Sequence, residues 1–126
     1  MKWISTITQI GQQAIKPEDK MVILFGENVT KGLVDVSVLQ KFGSQTPAST
    51  FVFKKGDTIT IDGQTYVASF VGSMVESNMR VLGHATLFFD QKKLQNPLAN
   101  GIYLELGTKQ TLPEFRVDDD IVYEHR

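Results

Sequence analysis

Only two side chains in this chain, His84 and His125, carry an imidazole, and no cysteine accompanies them. That inventory removes thiol nucleophiles, disulfides and thiolate metal sites together. A metal site built on histidine would need both rings, and His125 stands in a terminal stretch expected to fray, so it reads as an exposed terminal histidine. Asp118-Asp119-Asp120 offers oxygen ligands but lacks the spaced carboxylates and central glycine of a calcium loop, and reads as a solvated turn. The chain contains no GxGxxG, no Walker A pattern and no GxSxG, so nucleotide binding and hydrolase chemistry have no sequence hook.

The elements that would position these residues sit in a short, evenly charged chain. Its 126 residues carry 13 basic and 14 acidic side chains, a formal net charge of -1. One hydrophobic core fits that length, so a single domain over residues 1–126 is expected. No global field draws phosphate backbones or anionic lipid, and the pairs Lys54-Lys55 and Lys92-Lys93 have no interleaved aromatics, so nucleic acid is not an expected partner. The opening Met1 to Thr6 alternates apolar and polar residues rather than building a signal-peptide core, and no apolar run is long enough for a bilayer. A soluble protein without membrane insertion is the expectation, starting at Met1.

Strand patterns dominate. Trp3 to Gly11 and the β-branched run Met21 to Phe25 read as the first two strands, separated by a charged turn over Lys16 to Lys20. Leu33 to Gln40 near-alternates and reads as a strand, with a short helical lead near Thr30 as the other option. Gly43 to Ser49 is a small, polar, proline-containing loop. Strands then follow over Thr50–Phe53, Thr58–Ile61 and Gln64–Ala68, the last two joined by Asp62-Gly63, a strong signal for a type I′ turn because both central positions need positive φ. From Ser73 to Leu82 the period changes: Met74, Val75, Met79 and Leu82 recur at helical spacing, Arg80 follows Glu76 at i+4, and Gly83 is placed to cap the end. His84–Phe89, Ile102–Leu106 and Ile121–Tyr123 complete the strands, after a polar connection over Asp90 to Gly101. The sum is an all-β, mostly antiparallel small barrel of short strands with one short helix near residues 74–82.

The stretch Val71 to Asp90 resembles the glucitol/sorbitol IIA family of the sugar phosphotransferase system. It holds a Val-Gly segment, Asn78 followed four residues on by Leu82-Gly83-His84, then Thr86, a β-run and Phe89-Asp90. Thr6 to Gly11, Met21 to Phe25, Lys55-Gly56-Asp57 and Asp62 to Tyr66 extend the likeness, which thins past Asp90.

The resemblance implies a phosphocarrier: a histidine takes a phosphoryl group from HPr and passes it to a IIB domain serving a IIC permease, in the cytoplasm, with no metal or organic cofactor. Imidazole suits that task because its phosphoramidate keeps a high transfer potential. The family's acceptor follows a Leu-x-Asp/Glu-x-x-Phe-Ile pattern, matched by Leu33, Asp35, Val38 and Leu39, which sets Gln40 where the histidine belongs; counting back from Gly56 sets Ser44 there instead. An amide is no phosphoryl acceptor and a serine phosphoester is too stable to hand on, so transfer by the family's route is expected to fail. His84 corresponds to a motif residue beside the acceptor and is the remaining imidazole candidate, either as a substitute acceptor or as a structural, hydrogen-bonded ring. The other reading is a binding or regulatory module that keeps the fold and docking surface without phosphate.

Overall fold

Alternation along the strands decides the architecture. In β1 (Lys2–Ile10) the inward residues Trp3, Ser5 and Ile7 are buried while their neighbours face out, the period-2 signature of a half-buried strand. The computed structural model describes residues 1–90 and 97–126. β2 (Met21–Gly26), a one-turn helix α1 (Lys31–Val34), β3 (Val38–Phe42), β4 (Thr58–Ile61), β5 (Gln64–Val71), α2 (Val75–Leu82), β6 (Ala85–Phe89), β7 (Gly101–Leu104) and β8 (Asp120–Glu124) follow.

The eight strands close into a barrel in the order β1-β3-β2-β6-β7-β5-β4-β8. The β2/β3 and β6/β7 pairs are parallel and the other pairs antiparallel, so the expected mostly antiparallel barrel is what forms. Closure leaves no open sheet edge. Bulges at Ile7/Gln9 in β1 and Ala68/Phe70 in β5 bend the wall. Asp62 and Gly63 both take positive φ, 54° and 72°, giving the tight β4–β5 hairpin. Trp3, Ile7, Ile59, Ile61, Tyr66, Leu87, Ile102 and Ile121 are among the side chains that fill the interior.

Three segments differ from the sequence expectation. Leu33 to Gln40 is not one strand: α1 and a turn occupy its first half, with Leu33 40% exposed, and β3 runs on to Phe42. The turn is held by Gly11 and Gln13, whose amides donate to the carbonyls of Ser37 and Asp35. Residues 50–53 form no strand either; a 3₁₀ turn over Ala48–Thr50 leads into an extended strap that buries Phe51 and Phe53. Side chains of α2 replace its missing strand partner: Glu76 Oε2 accepts from the Phe53 amide at 2.8 Å, and Arg80 Nε donates to the Phe51 carbonyl at 2.8 Å. His125 is not frayed. It exchanges backbone hydrogen bonds with Met1, and its ring reaches Asp57. Lys92-Lys93 and most of the connection expected after Asp90 lie outside the described residues.

Candidate functional site

The site begins with the way α2 ends. Gly83 takes φ 62° and donates its amide to the Met79 carbonyl, while His84 donates to Asn78, a glycine-terminated helix end. A Cβ at Gly83 would sit 2.8 Å from the Gly26 nitrogen. Glycine is therefore required here twice over, for its positive φ and for the close approach of α2 to the end of β2.

This close approach delivers the Gly83 carbonyl to Gln40 on β3. Gln40 is 1% exposed, and its amide is fully used. Oε1 accepts from Ser5 Oγ and from the Tyr123 hydroxyl, each at 2.6 Å; Nε2 donates to the Gly83 carbonyl at 3.0 Å and meets Met79 Sδ at 3.4 Å. One side chain thus ties β1, β3, β8 and α2 together. Burial pushes the Tyr123 phenol well above its ordinary value, although the hydrogen bonds with Gln40 and Ser5 act in the opposite sense.

Gln40 lies at the floor of a cleft of about 470 Å³, walled by Phe25, Thr30, Phe42 and the last turn of α2. Leu33, Val81 and Leu82 give its rim an apolar character, with Val81 81% exposed.

His84 follows Gly83 directly, yet its ring is not among the residues lining this cleft. Nδ1 lies 2.9 Å from the Leu24 carbonyl and Nε2 lies 2.7 Å from Asn100 Nδ2. With the Leu24 carbonyl accepting and the Asn100 amide donating, Nδ1 carries a hydrogen and both ring nitrogens are engaged. Phe25 stacks on it at 4.0 Å between ring centroids. Ser44, the other candidate, is exposed in the turn after β3 and does not line the cleft.

Over residues 2–122 the sequence matches the family model of the PTS system glucitol/sorbitol-specific IIA component. The chain belongs to that family. It is 34% identical over 87 residues, 68% of this chain and 68% of the relative, to the PTS system glucitol/sorbitol-specific EIIA component of Escherichia coli (strain K12). It is 33% identical over the same share to the protein of that name from Shigella flexneri. The crystal structure of a PTS system IIA component from Enterococcus faecalis V583 superposes with a TM-score of 0.82 at 31% identity, covering 94% of this chain and 96% of that one.

Sequence reasoning for this IIA chain found Gln40 and His84 but not the residues that hold them. Ser5 had a signal: in Trp3-x-Ser5-x-Ile7 it is a polar side chain on the inward face of a strand, which calls for a buried partner. Tyr123 and Asn100 had none, since nothing local ties them to residues 83 and 16 positions away.

Proposed function

We propose that this IIA-family chain docks with phosphotransferase-system proteins through the Gln40 cleft but carries no phosphoryl group there. IIA components of this system pass phosphate to IIB and work with the sugar permease. The observation that carries the reading is the saturated amide of Gln40, placed where the family's acceptor pattern sets its histidine.

An amide nitrogen has its lone pair delocalised into the carbonyl and cannot attack phosphorus. The surroundings do not compensate: Oε1 is closed off by two hydroxyl donors and Nε2 by the Gly83 carbonyl. His84 would have to give up Asn100 before Nε2 could act as a nucleophile, and Ser44 stands outside the cleft. The apolar rim of Leu33, Val81 and Leu82 supports retained docking, because such side chains are kept exposed at a cost in solubility. HPr and the IIB domain are the partners this reading assigns, with the chain acting as one domain, residues 1–126, in the cytoplasm.

The test has two parts. Incubation with phosphoenolpyruvate, enzyme I and HPr should leave the mass of the protein unchanged. Titration of labelled HPr should nonetheless show association, weakened about tenfold by Val81→Glu, as expected for losing an interface contact of about 1.4 kcal/mol. A phosphate acquired from HPr, or no association at all, rules the reading out.

A further inference from the structure

The start of β2 carries a second concavity, separate from the cleft at its end. Phe25 lines the cleft, and about 10 Å back along the strand Val22 opens onto a pocket of about 300 Å³. Buried Val22 and Phe89 form its floor, and Ile15, Leu112, Pro113 and Phe115 wall it. That volume lies at the small end of the range for ligand pockets.

Hydrogen bonds hold the two walls apart. On one side the Phe89 amide donates to the Lys20 carbonyl at 2.8 Å and the Asp19 amide to the Lys16 carbonyl at 2.9 Å, which fixes the turn before β2. On the other, Thr111, Glu114 and Arg116 are fastened to the β4–β5 hairpin. The Tyr66 hydroxyl donates to the Thr111 carbonyl at 2.6 Å, Gln64 Oε1 accepts from the Thr111 amide at 3.1 Å, and Asp62 accepts from the Glu114 amide at 3.0 Å and from Arg116 at 2.8 Å. Leu112 and Phe115 pack against the core between these ties. Walls tied to different parts of the barrel do not close by a side-chain adjustment, so the apolar lining stays short of contacts until a ligand fills it.

The mouth is cationic. Lys16 and Lys20 line the pocket and are exposed, so their stems cover the apolar wall while the ammonium groups stand in water at its edge. The carboxylate of Glu114 is also there, but Arg116 Nη2 holds it at 2.6 Å. Lys20 meets Asp90 at 3.5 Å, with side chains 46% and 50% exposed, and Lys16 forms no ion pair among the described residues.

We propose that this pocket binds a small amphipathic monoanion, an aliphatic carboxylate whose chain lies against Val22, Phe89 and Phe115 and whose head meets Lys16 and Lys20. A single negative charge is what the mouth leaves uncompensated.

Decanoate is the probe, with the intact protein followed by calorimetry and by backbone amide shifts. It should bind one to one, with saturable shifts at Lys20, Val22, Phe89, Leu112 and Phe115. Butyrate should bind roughly a hundredfold more weakly, because most of the methylenes that the pocket covers are gone. Decanol keeps the chain without the charge and should bind about fivefold more weakly than decanoate. The double variant Lys16→Gln, Lys20→Gln should bind decanol as the wild type does, which reports an intact pocket, and decanoate no better than decanol. Absence of saturable binding, shifts confined to the Gln40 cleft, decanol binding as tightly as decanoate, or a double variant that keeps the preference for the anion would overturn the proposal. None of these outcomes bears on HPr association, so this pocket and the cleft stand or fall separately.

Discussion

Gln40 brings one acceptor and two donor hydrogens on a side chain only 1% exposed, and each finds a partner: two hydroxyls, a carbonyl and a thioether sulfur. Such a group matters more when it is removed than its net hydrogen-bond energy suggests, because the partners left behind stay desolvated. Gln40→Leu strands Ser5, Tyr123 and the Gly83 carbonyl and should cost about 3 kcal/mol in urea unfolding. Tyr123→Phe removes one donor and leaves Ser5 to serve Oε1, so about 1 kcal/mol is expected. The two buried tyrosines also set an alkaline limit. Burial, first, and then the charge of Asp62 push the Tyr66 phenol up to about 12, and burial raises Tyr123 further. With folded values above the unfolded one, near 10, stability is complete below about pH 10 and falls as pH rises past it. Tyr123→Phe should shallow that decline, read from urea midpoints between pH 9 and 11.

Among the elements, those with a strong local rule were legible and those fixed by distant partners were not. The Asp62-Gly63 turn and the Val75–Leu82 helix ended by Gly83 follow from backbone preferences acting over a few residues. The strap at Phe51–Phe53 alternates like a strand because alternate side chains are buried, but its backbone is satisfied by Glu76 and Arg80 of α2. Sequence pattern reports burial, not which group supplies the hydrogen bond. Leu33 to Gln40 misled for the converse reason: Leu33 of α1 faces outward onto the cleft rim, so an apolar position there described an exposed surface. The tie between α2 and the strap has a pH signature. Burial would raise the Glu76 carboxyl, but the Phe53 amide and the Lys54 and Arg80 cations outweigh it and hold the group below its ordinary value. Its contribution is therefore present above the usual carboxylate range and is lost as pH falls through the depressed folded value. Glu76→Gln should flatten the acid limb of the stability profile, measured as thermal midpoints from pH 3 to 6.

On the scale of the whole barrel, closure by β8 is what joins the site, since Tyr123 reaches Gln40 across 83 positions of sequence. The barrel class was readable from strand count and turns, whereas the parallel β2/β3 and β6/β7 pairs were not, because pairing partners separated by a helix or loop leave no local trace. The family likeness was readable from Val71 to Asp90, and Gln40, where one register of the acceptor pattern falls, is buried in the closed barrel at 1% exposure. If the docking face is intact and only the acceptor is missing, supplying an imidazole should restore the relay. The deciding measurement is the mass of wild type and Gln40→His, side by side, after incubation with phosphoenolpyruvate, enzyme I and HPr. One acid-labile phosphate on residue 40 of the variant and none on the wild type is the predicted result; a phosphorylated wild type, or a folded variant that HPr leaves unmodified, would contradict it.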